Sequence, residues 1–200
     1  MAPFSTFCSA GKGAALAALL ISTGVASDGW AQRSCADKRA ETWEITIAGS
    51  KEKGDRLTVE GVVTDAGGKP VSGALVYAYQ TDADGYYTRE RNSNEARLCG
   101  YMKTDAEGRY RFHSIKPGSY PGSTIAAHIH YVVSGANVVE EDFLLEFEGD
   151  RFVTQQSLER DHSDHEGLSE TFRGIRPLEK RDDGSLYCRR DFRVRTRSPQ

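Results

Sequence analysis

Two hundred residues suffice for one ordinary domain, or for one domain and a processed segment. With 38% hydrophobic and 28% charged residues the composition is globular, which excludes wholesale disorder and a multi-span membrane protein. Lys and Arg total 26 against 29 Asp and Glu; a net charge of −3 lacks the basic excess that nucleic-acid binding requires, and Arg clusters only near the last residues.

Residues 1–31 read as a secretory signal. Lys12 is the only charge before the small and apolar run 13–26, which Ser22, Thr23 and Gly24 interrupt. Small residues stand at Gly24/Ala26 and again at Gly29/Ala31, so cleavage is expected after Ala26 or Ala31. The run is too short and broken for a membrane span; the alternative is an amphipathic N-terminal helix. The expectation is an exported protein, periplasmic or secreted, with no membrane attachment once the signal is removed and a single domain over 32–200. Removal takes Cys8 away and leaves Cys35, Cys99 and Cys188, which allow one disulfide and one spare thiol in any of three pairings. An oxidising compartment agrees with export. No two cysteines have a zinc-binding spacing.

From Thr42 onward the pattern has period two more often than 3.6. Strands are predicted over 42–47, 57–64, 74–80, 109–114, 127–133, 142–147 and 186–194, all rich in Val, Tyr, Thr or Phe. Turns separate them at Asp65-Ala-Gly-Gly-Lys-Pro70, Asp82-Ala-Asp-Gly85, Asp105-Ala-Glu-Gly108 and Lys116-Pro-Gly118. Seven or so strands with at most a helical turn or two around 153–160 predict an all-β sandwich. The two Asp-x-x-Gly-x-Tyr stretches, at 82 and 105, read as similar hairpins.

His128-Ile129-His130 falls inside the predicted strand 127–133. Residues two apart in a strand share a face, with Cα atoms roughly 7 Å apart, so both imidazoles can turn on one ion. Ala127, Ile129, Tyr131 and Val133 take the other, core-facing side. The motif alone is weak, because two surface imidazoles are the favoured reading of an isolated His-x-His. Tyr120, in the turn Lys116-Pro-Gly-Ser-Tyr-Pro-Gly122, and Tyr87, in Asp84-Gly-Tyr-Tyr-Thr88, change the balance. Phenolate is a hard anionic donor suited to Fe(III), and imidazole binds iron well. Two phenolates and one hydroxide balance the charge of ferric iron and favour Lewis-acid chemistry.

Residues 57–150 resemble the intradiol ring-cleavage dioxygenases, the group of catechol and protocatechuate dioxygenases. The matching pieces are Val59-Glu-Gly-Val-Val-Thr-Asp65, Lys69-Pro-Val-Ser-Gly-Ala74, Asp82-Ala-Asp-Gly-Tyr-Tyr87 and Thr104-Asp-Ala-Glu-Gly-Arg-Tyr-Arg-Phe112. They continue in family order as Ile115-Lys-Pro-Gly-Ser-Tyr-Pro-Gly122, Ala127-His-Ile-His130 and Phe147-Glu-Gly-Asp150. The resemblance implies a prealbumin-like β-sandwich with Tyr87, Tyr120, His128 and His130 on a non-haem Fe(III). Tyr87 is preferred to Tyr86 because the family ligand sits two residues after the turn glycine, here Gly85. It implies that Tyr120 and His130 are axial, Tyr87 and His128 equatorial, and that Tyr120 leaves when substrate binds. The partners so implied are a small aromatic diol and O2, the product is a muconate-type dicarboxylic acid, and catalysis involves Tyr120 and Tyr87. Family members often pair, which makes a homodimer a further implication.

Two positions depart from the family. Ile125 stands where an Arg is usual and Leu144 where a Gln is usual; Arg89, Arg91 or Arg97 is the candidate replacement cation. Residues 59–120 also resemble the transthyretin-type, carboxypeptidase-regulatory-like modules, so a non-catalytic exported binding module is one alternative. A degenerate iron-binding intradiol fold is another. Elsewhere, His162-Ser-Asp-His165 reads as a solvated loop, His113 as a surface residue, and Arg189 to Arg197 as an edge strand with its charges outward.

Overall fold

In the computed structural model, which describes residues 40–88, 96–165 and 173–197, the alternating segments form two sheets. The chain divides into units Met1–Trp30 and Ala31–Gln200, and every described residue belongs to the second. Its elements are β1 (Glu44–Thr46), β2 (Arg56–Asp65), β3 (Leu75–Gln80), β4 (Leu98–Lys103), β5 (Arg109–Ile115) and β6 (His128–Gly135). They continue as β7 (Val138–Phe147), α1 (Gln155–His165), β8 (Arg173–Arg176), β9 (Glu179–Lys180), β10 (Leu186–Arg189) and β11 (Phe192–Val194). One sheet runs β1-β5-β2-β10-β9, with β11 continuing the pairing along β2; the other runs β4-β3-β6-β7-β8.

The fold is the predicted all-β sandwich. Leu57, Val59, Tyr110 and Phe112 point inward from the first sheet and meet Val76, Ile129, Tyr131 and Phe147 of the second in one core. Ile129, Phe112 and Phe147 are wholly buried, each worth about 2–3 kcal/mol of hydrophobic stabilisation. Three turns are built alike. The carboxylates of Asp65, Asp82 and Asp105 each accept hydrogen bonds from the backbone N–H two and four residues on, which closes the turn around a glycine of positive φ.

The structure departs from the expected elements in four places. The predicted strand 186–194 is two strands. At their junction the Arg190 carbonyl sits 1.7 Å from where a Cβ on Gly61 would be, and Asp191 turns its carboxylate onto the N–H of Val62. The unforeseen β4 lacks alternation because Cys99 and Tyr101, on its outer face, are also partly buried. Gly100 there admits Ile45 to within 2.4 Å of an added Cβ. The strands β8 and β9 are short, four and two residues, and leave little periodic signal. Residues 162–165 close helix α1 rather than lie in a loop. On β11, Phe192 and Val194 are buried and Arg193 is exposed as expected, but Arg190, expected outward, is wholly buried with its guanidinium over the rings of Phe143 and Phe192.

Gln80 fixes the end of the sandwich where the candidate residues collect. Wholly buried, it donates to the Ile115 carbonyl at 2.8 Å and accepts from the Ser114 hydroxyl at 2.9 Å, which ties β3 of one sheet to β5 of the other. Of the cysteines, Cys99 is disulfide-bonded, its partner lying outside the described residues, and Cys188 is a free, buried thiol. Any pairing through Cys188 is thereby excluded. Burial pushes that thiol up to about 12.

Candidate metal centre

Strand β6 supplies the first half of the site. Its ladder with β3 and β7 sets the alternation, so Ile129, Tyr131 and Val133 enter the core while His128 and His130 share the outer face. The two Nε2 atoms stand 3.0 Å apart. The Nδ1–H of His128 donates to the Ala126 carbonyl at 2.7 Å, which leaves Nε2 as the lone-pair nitrogen of a neutral ring. Burial first, and His128 second, hold His130 down to about 3, so it too is a neutral donor at pH 7.

Two loops supply the second half. The turn at Gly85, with φ of +87°, lies against the segment at Gly118, backbone on backbone. A Cβ on Gly85 would come within 2.0 Å of the Ser119 carbonyl oxygen, and one on Gly118 within 2.5 Å of the Ala83 oxygen. The Gly118 N–H donates to the Asp82 carbonyl, and the Thr81 hydroxyl to the Gly118 carbonyl, both at 2.8 Å. Each tyrosine follows its glycine by two residues, so this contact places Tyr87 beside Tyr120 with their hydroxyls hydrogen-bonded. Tyr86, the alternative, is instead bound by its own backbone to Asp82. Burial above all raises both phenols, with Tyr120 adding to the shift of Tyr87.

All four predicted residues therefore meet. The Tyr120 hydroxyl lies 3.0 Å from His128 Nε2, which completes a path Tyr87–Tyr120–His128–His130 of oxygen and nitrogen donors. One lone pair on His128 Nε2 faces both the Tyr120 hydroxyl and His130 Nε2, more than a single acceptor satisfies. A cation among the four atoms would satisfy them all. Separations near 3.0 Å are those of adjacent ligands on bonds of about 2.1 Å. Among the described residues no three His, Cys, Asp or Glu are placed to hold a metal ion by themselves, so the phenols are indispensable to this reading. Hard oxygen with imidazole is a donor set for iron.

The candidate cations fare differently. Arg97 is committed: it binds Glu52 through two contacts of 2.7 Å and reaches Asp82 at 3.3 Å, so it braces the Tyr87 loop rather than facing an open site. Arg89 and Arg91 lie outside the described residues. Ile125 is 48% exposed on the connection between Tyr120 and His128, and Leu144 is buried directly across from His130. His113 is a half-exposed residue tied to Thr58 and Glu44, away from the site.

A family model described as Dioxygenase matches residues 30–170, well past Tyr120, where the likeness to spacer modules stops. The chain belongs to the intradiol dioxygenase family. Its similarity to the protocatechuate 3,4-dioxygenase beta chain of Burkholderia cepacia is 41% identity over 113 residues, 51% of this chain and 44% of that one. To the hydroxyquinol 1,2-dioxygenase of Rhodococcus opacus it is 31% over 110 residues, 46% and 37% of the two chains. The chain thus spans less than half the length of these two curated relatives. The fold of this intradiol dioxygenase-family chain is also that of solved structures. The catechol 1,2-dioxygenase from Pseudomonas arvilla C-1 superposes with a TM-score of 0.61 at 24% identity, over 79% of this chain and 58% of that one. The dioxygenase domain of a dioxygenase carbohydrate-binding fusion from Streptomyces sp. SirexAA-E gives 0.57 at 21%, over 82% and 96%.

Two residues beside the site escaped sequence reasoning. Tyr79 lies directly across β3–β6 from His130, and Glu146, buried, directly across β6–β7 from His128. The period-two pattern carried a signal for both, since each alternates with core residues on a strand whose outer face is also covered.

Proposed function

We propose that this protein is a ferric intradiol ring-cleavage dioxygenase. It opens a small catechol-type diol between the two hydroxylated carbons, and both atoms of O2 enter a muconate-type dicarboxylic acid. The observation that carries this reading is the unbroken run of contacts from Tyr87 Oη through Tyr120 Oη and His128 Nε2 to His130 Nε2. Membership in a family whose members generally use ferric iron supports it.

Tyr87, Tyr120, His128 and His130 would hold the ferric ion, which would supply Lewis acidity toward a chelating diol. The chain does the rest. His128 and His130 are neutral donors fixed to a strand, and they keep the site in place through turnover. Tyr87 is the retained anionic donor. Tyr120 takes the mobile role that the family resemblance implies; like Tyr87 it lies in a loop and can swing without breaking a ladder. Tyr120 Oη, a basic phenolate when released, would be the acceptor for a proton from a diol hydroxyl.

A second reading, iron binding without ring cleavage, has specific support. Ile125 and Leu144 are apolar where the family resemblance implies Arg and Gln, and Arg97 is paired with Glu52 and Asp82. We further propose that the protein acts outside the cytoplasm, on small phenolics there. The signal-like segment 1–31 and the disulfide at Cys99 support that location.

The test is colour and oxygen. The isolated protein should hold one iron per chain with a visible phenolate-to-iron band that Tyr87→Phe weakens. Anaerobic catechol should shift the band, and admitted O2 should then be consumed one for one with the diol. A colourless, iron-free protein overturns the proposal. An iron-loaded protein that shifts its band with diols but takes up no O2 establishes the second reading instead.

A further inference from the structure

The two imidazoles are held by different physics. Histidine χ2 is a broad torsion, so rotamer preference alone does not set the plane of the ring. For His128 the hydrogen bond to the Ala126 carbonyl sets it. His130 instead lies flat on Tyr79, with ring centroids 4.6 Å apart and planes within 5° of parallel. No other ring pair at the site is parallel: His130 meets Tyr87 at 42° and His128 at 79°, and Tyr120 meets His128 at 89°.

Tyr79 is itself backed. It stacks on Tyr77 at 5.2 Å, and Tyr77 on Tyr101 at 4.3 Å, both within 30° of parallel. The sheet register makes this a column. Tyr101 stands across from Tyr77 on β4 and β3, Tyr77 and Tyr79 are successive outward residues of β3, and His130 stands across from Tyr79 on β6. Tyr77 and Tyr79 are each 2% exposed, so the column is packed on its sides as well as along its length.

We propose that Tyr79, backed by Tyr77 and Tyr101, is a positioning residue that sets the plane of the His130 ring, so that its Nε2 stays beside His128 Nε2 at the end of the run of donors. Tyr79 touches no reacting atom; it acts through His130. A face-to-face contact at this distance is worth only a modest energy, but it opposes rotation about the one torsion that the strand leaves loose. This inference rests on the metal-binding reading above.

Full-length Tyr79→Leu, Tyr79→Phe and Val132→Ala proteins test it. Val132 lies on the same face of β6 as His130 and in the same buried cluster as Tyr79, so its truncation loosens packing without removing the stacked ring. Ferric ion is titrated in competition with a chelator. Tyr79→Leu is expected to weaken retention about tenfold or more, whereas Tyr79→Phe and Val132→Ala stay near wild type. In metal-free protein, NMR of the His130 ring should show one ordered orientation in wild type and Tyr79→Phe, and averaging in Tyr79→Leu. Wild-type retention in Tyr79→Leu, or an equal loss in Val132→Ala, overturns the proposal. Failure of the wild type to bind ferric ion overturns the metal-binding reading instead.

Discussion

His128 and His130 come from one strand, laddered on both sides by β3 and β7, whereas Tyr87 and Tyr120 come from two loops 33 residues apart. The histidines are juxtaposed by local geometry: any well-paired strand brings its i and i+2 side chains to one face. The phenols have no such guarantee. They meet because two glycine-containing turns pack with no room for a side chain between them, and because Asp82 organises the first turn and is linked to the second by its carbonyl. A site built half on a ladder and half on loops has a rigid side and a side that can move. That division suits a ligand that must leave and return.

The sharpest way to break the comparison is to force the loops apart. Gly118→Ala places a Cβ 2.5 Å from the Ala83 carbonyl oxygen. The expected cost is roughly 2–3 kcal/mol of stability, read by urea unfolding, together with loss of the visible band. The β6 ladder should survive, so far-ultraviolet circular dichroism stays near wild type. A variant that keeps its band would show that the turn contact does not assemble the phenol pair.

A smaller effect is expected from Arg97→Gln, which removes the guanidinium joining Glu52 to Asp82 and leaves the backbone bond from residue 97 to the Tyr87 carbonyl. With about a quarter of the Arg97 side chain exposed, the stability loss should be about 1 kcal/mol. Ferric affinity should fall by a few-fold, because the loop half alone is loosened. Chelator competition reads this, and an unchanged affinity would mean that the Asp82 turn needs no bracing.

The smallest effect is expected on the far sheet. The hydrogen bond from His113 at 2.8 Å, opposed by partial burial and helped by Arg111, holds the Glu44 carboxyl below its ordinary 4.5. A lowered carboxylate contributes stability that is fully present above its unfolded value and lost as pH falls through the folded one. Melting temperature should therefore drop below about pH 4.5, and Glu44→Gln should flatten that drop by a few tenths of a kcal/mol. Iron binding at neutral pH should not change. A change would tie the first sheet to the site after all.

Much of the sandwich was legible because antiparallel strands with one covered face write period-two alternation into the chain, as β2 and β5 do. Legibility failed where that rule lapses. On β4 both faces are covered; at 186–194 the pattern continues through a break that only the approach of Arg190 to Gly61 reveals. In the site, the four candidate donors could be named from residue types and motif order. The candidate cation could not be judged, since Arg97 looks available until Glu52, 45 residues away, is seen against it.

The residues by themselves determined the strand carrying two imidazoles on one face, the turns at Gly85 and Gly118, and the chemical kind of ligand set, because each depends on backbone preferences and side-chain chemistry within a few positions. The tertiary structure alone decided that the two turns touch, that a column of three tyrosines ends on His130, and that Arg97 is spent on Glu52 and Asp82. Those outcomes depend on distances between segments far apart in the chain, and such distances follow from how the sheets pair and pack.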